Sequence, residues 1–298
     1  MKLLIFGAGG QVGTALQAAA WQSAATIAAL THAQADIGDT AALAAAFDAG
    51  KYDIVINAAG YTAVDKAESE PAAALRINGE APGLIAAECA RRGAALIHIS
   101  TDYIFDGAKP APYLESDPPA PLGVYGASKL AGERAVAERL DRHIILRTSW
   151  VFSATGANFV KTMLRLAAAG RDIRVVQDQT GGPTPADDIA WAIAQIAARI
   201  AVGPVAWGTY HYCGTPAVSW YDFARAIFEV HGAMTGKQVA VAPISTNDYP
   251  TAARRPANSR LDCARIRSAF GIEQRPWRAG LESAMKSLSQ TGGSKRDG

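Results

Sequence analysis

The chain has 298 residues, of which 49% are hydrophobic and 19% charged, and its formal net charge is +2. These values describe a globular protein with an ample core, and they do not favour nucleic acid or a membrane surface as a partner. Three cysteines lie far apart without metal-ligand spacing, and the N-terminal apolar run is too short for a signal peptide or a membrane span. We therefore expect a cytoplasmic protein.

Short apolar runs alternate with alanine-rich helical stretches through the first half of the chain. The predicted strands are residues 2–6, 26–30, 54–57, 95–100 and 143–148. The predicted helices are residues 10–22, 40–48, 71–92 and one that carries Tyr125 and Lys129. Because these strands are apolar on both faces, the alternation predicts an α/β fold with a Rossmann-type, doubly wound parallel sheet.

The pattern changes after Trp150. Helices are predicted at residues 158–170, 187–201 and 219–231, and a short strand at 173–177. We expect residues 1–152 to form a dinucleotide-binding domain that part of 184–214 rejoins. Residues 153–183 and 215–289 would form a smaller C-terminal substrate-binding lobe, and the polar residues 290–298 a disordered tail.

A glycine-rich segment joins the first predicted strand to the first helix. Gly7, Gly10 and Gly13 have the spacing G-x-x-G-x-x-G, in which glycine permits a tight turn and a close approach to a pyrophosphate. Such a match is common by chance, so its position directly after the first strand is what favours a dinucleotide. The predicted cofactor-binding residues here are Gly7, Gly10, Gln11, Val12 and Gly13.

The segment after the second predicted strand does not decide between NADPH and NADH. It contains Thr31 and His32, with no carboxylate before Asp36 and no arginine to hold a 2′-phosphate. Asp36 and Ile37 are candidates for the border of the adenine ring, with an acidic loop as the alternative.

Small residues follow the third predicted strand, where a cofactor could lie across the end of the sheet. The cofactor-binding candidates in this segment are Ala58, Ala59, Gly60 and Thr62. Lys66 and Glu68, a little further on, are interpreted as the solvated start of a helix.

Tyr125 and Lys129 are four residues apart, so they share one face of a predicted helix. A nearby ammonium favours the phenolate, which would let the tyrosine exchange a proton near neutral pH. Ser100 and Thr101 end the fourth predicted strand and could face the same crevice, although they could also satisfy local backbone groups. Hydroxyl, tyrosine and lysine together predict hydride chemistry, with Thr101, Tyr125 and Lys129 as catalytic residues.

Further specific segments accompany these motifs. They are residues 63–68, 100–105, 125–133, 147–152, 158–161, 178–184, 219–224 and 254–261. Through them, nearly the whole chain resembles the extended short-chain dehydrogenase/reductase family, and within it the dTDP-4-dehydrorhamnose reductases. The resemblance implies NADPH- or NADH-dependent reduction of dTDP-4-keto-L-rhamnose to dTDP-L-rhamnose, with the hydride reaching C4.

The resemblance also implies roles for individual residues. Tyr125 would protonate the reacting oxygen, Thr101 would hydrogen-bond it, and Lys129 would hold the nicotinamide ribose and lower the pKa of the tyrosine. The implied substrate-binding residues are Thr101, Asp102, Trp150, Asn158, Arg255 and Asn258. A core position is the alternative for Trp150, whereas Arg255 and Asn258 would meet the diphosphate.

No metal is needed for this chemistry. Some members of the family are described as pairing through a metal held by glutamates, one of them on the first helix, but Ala15 occupies that position here. We therefore expect a monomer or a weak homodimer, with a dTDP-linked 4-keto sugar as its small-molecule partner.

Two alternatives stay open. The first is another nucleotide-sugar enzyme, a 4-epimerase or a 4,6-dehydratase, although a dehydratase usually has Asp-Glu after the strand-end hydroxyl and this chain has Asp102-Tyr103. The second is a non-catalytic, dinucleotide-binding regulatory subunit. Replacement of Tyr125 by phenylalanine distinguishes an enzyme from a binding subunit.

Overall fold

The computed structural model describes residues 1–21 and 25–293 of the protein. Its strands, in chain order, are β1 (Lys2–Phe6), β2 (Thr26–Leu30), β3 (Ile54–Asn57), β4 (Ala95–Thr101), β5 (His143–Thr148), β6 (Val151–Phe152), β7 (Ile173–Val176), β8 (Thr180–Gly181), β9 (Thr184–Pro185), β10 (Gly208–His211), β11 (Val218–Ser219), β12 (Val241–Ile244) and β13 (Asn258–Ser259).

The α-helices follow the same order. They are α1 (Gln11–Ala18), α2 (Thr40–Asp48), α3 (Val64–Ala67), α4 (Pro71–Leu75), α5 (Ala81–Arg92), α6 (Val124–Arg139), α7 (Phe159–Ala168), α8 (Ala186–Val202), α9 (Trp220–Thr235), α10 (Ala264–Phe270) and α11 (Trp277–Gly293). A π-helical turn at Arg76–Glu80 joins α4 to α5, so the predicted helix 71–92 is present with an irregular middle.

Within the described residues, the largest sheet has six parallel strands in the order β10-β5-β4-β3-β1-β2. The last residue of β1, Phe6, pairs with Leu30 of β2 on one side and with Asn57 of β3 on the other. The carboxyl ends of these strands therefore meet at one edge, and the strand order reverses between β1 and β3. This is the switch point at which doubly wound sheets bind ligands.

The predicted α/β fold with a parallel sheet is confirmed. All five predicted strands of the first half are present, and β4 extends one residue further than expected, to Thr101. The sheet is buried on both faces because the alternating apolar side chains of β1 enter two different cores. Leu3 and Ile5 join one core, and Leu4 and Phe6 the other.

Residues 186–211 lie with the large sheet in space. Helix α8 packs against α1, and β10 extends the sheet beyond β5. A third core, away from the sheet, is formed by apolar residues of α7, α9 and α11, among them Val160, Phe223 and Leu281. The boundaries of the two predicted lobes stay a prediction.

Two helix ends differ from the expectation. Helix α1 ends at Ala18, because Ala19 has an extended backbone, and the predicted end at Gln22 lies outside the described residues. Helix α11 continues to Gly293, past the predicted start of a disordered tail at residue 290. The side chains of Trp277, Leu281 and Met285 are spaced four residues apart and therefore share one face of the helix. This face is buried in the third core and anchors the helix. Residues 294–298 lie outside the described part of the chain.

Candidate active site

A cleft of about 1170 Å³ opens at the carboxyl ends of the parallel strands. Binding sites for small ligands typically have volumes of about 300–1,000 Å³, so this cleft is larger than most of them. The predicted site residues that line it are Gly7, Gly10, Gln11, Val12, Asp36, Ile37, Ala58, Ala59, Gly60, Thr62, Thr101, Asp102, Tyr125, Lys129 and Trp150. The remaining ones, Gly13, Asn158, Arg255 and Asn258, do not line it.

The glycine-rich turn is shaped by close backbone approaches. Gly7 has a φ of +82°, and a Cβ placed there would lie 2.5 Å from the Ala59 nitrogen. A Cβ on Gly13 would lie 2.0 Å from the Gly7 oxygen. Gly13 therefore packs α1 against the turn from behind, while Gly7 and Gly10 line the cleft itself.

Gln11 connects the turn to the segment before α7. Its Oε1 accepts hydrogen bonds from Ser153 Oγ at 3.0 Å and from Asn158 Nδ2 at 2.8 Å. Asn158 Oδ1 also accepts from the Lys161 amide at 3.1 Å and caps α7. The Asn158 side chain thus binds protein groups on both sides in this structure.

Charged side chains gather around Asp36 at one end of the cleft. His32 is largely exposed, and its Nδ1 lies 3.7 Å from Asp36 Oδ1. Arg76 approaches from the π-helical turn, with Nη1 3.5 Å from Asp36 Oδ2. The sequence shows no arginine near the end of β2, but the fold brings one to this place.

Tyr125, Thr101 and Lys129 come together on the floor of the cleft. The side chains of all three residues line the cleft. Thr101 Oγ1 donates to Asp102 Oδ1 at 3.0 Å, and Lys129 Nζ donates to the Ile99 carbonyl at 2.7 Å. The strand end and one helical face therefore bring three separate chemical groups to one point.

Burial dominates the protonation of this group. It raises the pKa of Tyr125 to about 12, although the neighbouring Thr101 hydroxyl acts in the opposite direction. The expectation that Lys129 lowers the pKa of Tyr125 is not met in this structure, where the ammonium is directed to the Ile99 carbonyl. Burial also lowers the pKa of Lys129 to about 8, against the opposing charge of Glu133. At neutral pH the tyrosine is thus protonated and the lysine charged.

Two buried polar atoms beside this group lack a protein partner among the described residues. They are Asp102 Oδ2 and Thr148 Oγ1, and both residues line the cleft. Burial raises the pKa of Asp102 to about 6, while hydrogen bonds from Ser259 and Thr101 oppose the change. Since buried polar atoms are nearly always hydrogen-bonded, these two atoms fit a polar ligand. Thr148 was not among the site residues predicted from the sequence. Its position at the end of a predicted strand was the signal that could have indicated a place in the cleft.

Ser100 lines the cleft, as the sequence allowed, but its hydroxyl has a protein partner. Its hydroxyl donates to Glu133 Oε1 at 2.5 Å. Glu133 in turn forms a buried salt bridge with Arg147, at 2.7 Å between Oε2 and Nη2. Ser100 thus belongs to a buried charge network beneath Lys129 rather than to the reacting groups.

The wall opposite the catalytic group is aromatic. Trp150 has a φ of +46° and stacks on Trp220, with ring centroids 3.5 Å apart and planes 8° apart. A Cβ on Gly181 would lie 2.6 Å from Trp150 Cε2, so only glycine leaves room for the indole. A strained backbone at a cleft is typical of functional sites. Trp220 also lines the cleft; it belongs to the specific segment 219–224, but the sequence assigned it no role in the site.

Arg255 and Asn258 are occupied by protein groups. Arg255 forms a bidentate ion pair with Asp65, in which both N–O distances are 2.7 Å, and its side chain is 18% exposed. Asn258 Nδ2 donates to the carbonyls of Lys109 and Ala111 at 2.6 and 2.9 Å. Their predicted contacts with a diphosphate stay a prediction, and Arg255 would have to exchange Asp65 for the diphosphate.

Comparison with known proteins bears on the whole chain. Residues 1–290 match the family model described as "RmlD substrate binding domain". A dTDP-4-dehydrorhamnose reductase of Sinorhizobium fredii is 46% identical over 279 residues, which are 93% of this chain and 94% of that protein. The chain belongs to the dTDP-4-dehydrorhamnose reductase family.

Solved structures agree with this membership. A dTDP-4-dehydrorhamnose reductase from Clostridium acetobutylicum superimposes with a TM-score of 0.90 at 35% identity, covering 97% of this chain and all of that one. The Bacillus anthracis reductase in complex with NADP gives 0.87 at 36% identity, over 96% and 99% of the two chains. The predictions of the family and of an NAD(P)H-dependent oxidoreductase are confirmed.

Two structural findings concern metal ligands and membrane-spanning helices. In residues 1–21 and 25–293, no three His, Cys, Asp or Glu side chains lie close enough together to hold a metal ion. Ala15 is buried in α1, where it offers no ligand. No helix of the described chain has the length and apolar character to cross a membrane.

Proposed function

We propose that the protein reduces dTDP-4-keto-L-rhamnose to dTDP-L-rhamnose with NADPH or NADH. The observation that carries the proposal is that Thr101 at the end of β4 and Tyr125 and Lys129 on α6 line one and the same cleft. A protonated phenol is the form that a carbonyl reduction requires, because the product alkoxide must receive a proton. The high pKa of Tyr125, at about 12, supports this direction of the reaction.

The nucleotide-binding half of the cleft fits a dinucleotide. Gly7 and Gly10 leave the turn open to a pyrophosphate at the start of α1, and Gln11 and Val12 follow in the first helical turn. Ala58, Ala59, Gly60 and Thr62 supply a surface of small side chains beyond β3, while Asp36 and Ile37 border the adenosine end. When bound, the reduced nicotinamide supplies the hydride.

Three residues of the chain act on the sugar carbonyl and its surroundings. Tyr125 donates its proton to the C4 oxygen as the hydride reaches C4, so the ketone becomes a secondary alcohol. Thr101 hydrogen-bonds the same oxygen and stabilises its developing charge. Lys129, charged at neutral pH, holds the nicotinamide ribose hydroxyls.

The remaining residues orient the nucleotide sugar. Trp150, supported by Trp220, presents an apolar face to the sugar ring, and Asp102 accepts a sugar hydroxyl with its unpaired Oδ2. We propose that Arg255 binds the diphosphate after leaving Asp65, since a guanidinium fork suits phosphate oxygens. Asn158 and Asn258 act indirectly, by fixing the segments that carry the substrate-binding lobe.

The test is oxidation of NADPH and NADH by the purified protein, with dTDP-4-keto-L-rhamnose generated in the same tube. Stoichiometric oxidation with dTDP-L-rhamnose as product supports the proposal, and the rate ratio gives the cofactor preference. A Tyr125→Phe variant should lose at least about 10²-fold in kcat, the usual size of an acid–base contribution, and keep cofactor binding. Undiminished oxidation by that variant contradicts the mechanism. Cofactor binding without any oxidation favours a 4-epimerase or a regulatory subunit.

A further inference from the structure

The catalytic helix α6 begins without a cap of its own. Gly123 occupies the N-cap position and has no side chain to satisfy the first-turn amides, which no helix can pair internally. Tyr125 is the second residue of this first turn. A carboxylate from a distant segment fills the role, since Glu68 Oε1 accepts a hydrogen bond from the Val124 amide at 2.8 Å.

The fit between Glu68 and α6 is close. A Cβ on Gly123 would lie 2.5 Å from Glu68 Oε1, so the glycine makes room for the carboxylate. The sequence suggested a solvated helix start for Glu68, but the side chain is only partly exposed and its Oε1 has a backbone partner. A carboxylate at a helix N-terminus also interacts favourably with the helix dipole.

Glu68 itself is held in place by its neighbours. It follows directly after α3, whose last residue, Ala67, is fully buried. Asp65 of the same short helix pairs with Arg255 and also accepts from the Ala253 amide at 3.1 Å. The carboxylate therefore reaches α6 from an anchored segment and not from a free loop.

We propose that Glu68 is a positioning residue for Tyr125. It caps α6 from outside the helix and fixes the first turn, which sets where the tyrosine hydroxyl meets Thr101 and the reacting oxygen. The inference rests on the proposed function for its kinetic part. The position of the first turn matters for the reaction rate, because a displacement of a catalytic group by about 1 Å can lower the rate about 10²-fold.

Other contacts hold the part of α6 that follows Val124, and the Tyr125 ring packs edge-on against Tyr103 with ring centroids 5.6 Å apart. A Cβ on Gly126 would lie 2.1 Å from the Tyr103 carbonyl oxygen, which sets the distance between the helix and that segment. Ser128 Oγ accepts from Asn78 Nδ2 at 3.1 Å and fixes the second turn. The loss of Glu68 should therefore loosen residues 124 and 125 without unseating the helix.

Three variants separate the alternatives. Glu68→Ala removes the acceptor, Glu68→Gln keeps an acceptor oxygen without the charge, and Glu138→Gln makes the same charge change at an exposed site near the other end of α6. For each we would measure kcat, both KM values, NADPH binding stoichiometry and the primary isotope effect with 4-deuterated NADPH. Hydrogen–deuterium exchange of the peptide that spans the first turn of α6 provides a readout independent of turnover.

We expect Glu68→Ala to lower kcat about tenfold per NADPH-binding molecule, with KM values within about twofold and a larger isotope effect. Exchange in the first turn should become faster. Glu68→Gln should stay within about threefold of the wild type, and Glu138→Gln should match it.

Two results overturn the inference. One is a hydrogen–deuterium exchange rate in the first turn of α6 that is the same in the Glu68→Ala variant as in the wild-type protein. The other is a loss of activity that only follows the loss of NADPH-binding molecules, with an unchanged isotope effect. A wild-type protein that oxidises neither NADPH nor NADH contradicts the proposed function instead, and the exchange measurement still decides whether Glu68 caps α6.

Discussion

Replacing Lys129 with methionine would remove a buried ammonium from the floor of the cleft. Only 5% of the residue is exposed, and its pKa falls from 10.5 to about 8 because burial disfavours the charged form. The charged lysine therefore opposes folding while it serves the proposed reaction. We expect the Lys129→Met variant to be inactive and yet more stable than the wild-type protein at neutral pH.

The size and pH range of the effect follow from the same pKa. A fall from 10.5 to about 8 corresponds to about 3 kcal/mol, since one pKa unit equals about 1.36 kcal/mol. The lost hydrogen bond to the Ile99 carbonyl offsets about 1 kcal/mol of this, which leaves a gain of about 2 kcal/mol. The penalty is complete below pH 8, where folded and unfolded lysine are both charged. It disappears between about pH 8 and 10.5 as the folded protein releases the proton first.

Urea unfolding of the cofactor-free protein at pH 7 and at pH 10 measures this difference. Lys286→Met, which removes an exposed lysine from α11, is the control and should change the free energy of unfolding by less than about 0.5 kcal/mol. The reasoning is refuted if Lys129→Met is less stable than the wild type at pH 7. It is also refuted if the stabilisation is the same at both pH values.

Three further predictions concern the cleft. Gly181→Ala should displace Trp150 and raise KM for the nucleotide sugar about tenfold, with unchanged NADPH affinity by fluorescence titration. Arg76→Ala should raise KM for NADPH about tenfold and KM for NADH less, if the guanidinium near Asp36 contacts the 2′-phosphate; equal changes would exclude that contact. The pH profile of kcat/KM should fall above about pH 8, where Lys129 loses its positive charge, and a flat profile to pH 9.5 would contradict the assigned role.

Local signals made much of the fold and of the site predictable. The glycine spacing at residues 7–13 and the pair Tyr125 and Lys129 each depend on one turn or one helical face, so sequence separation alone places them. The same holds for the apolar runs that became β1 to β5. Thr101 could be assigned because a parallel strand presents its carboxyl end at the ligand-binding edge.

Contacts between distant segments could not be predicted in this way. Arg76, Glu68 and Trp220 acquire their contacts only when helices and loops pack, and no local spacing predicts which partners they meet. The pKa of Tyr125 is shifted upward because the side chain is buried, and the sequence spacing between Tyr125 and Lys129 does not reveal burial. Arg255 was assigned by its chemistry, but a carboxylate of this same chain is as good a partner for a guanidinium as a diphosphate is.

The ion pair between Arg255 and Asp65 has a consequence for how salt affects substrate binding. A diphosphate that takes the guanidinium exchanges one anion for another, so the net electrostatic gain is the difference between two similar contacts. Asp65 is half exposed, and on release its carboxylate passes into water, where ions screen it over a distance of about 8 Å at physiological ionic strength. If Arg255 binds the diphosphate as proposed, the affinity for the nucleotide sugar should therefore depend only weakly on salt concentration.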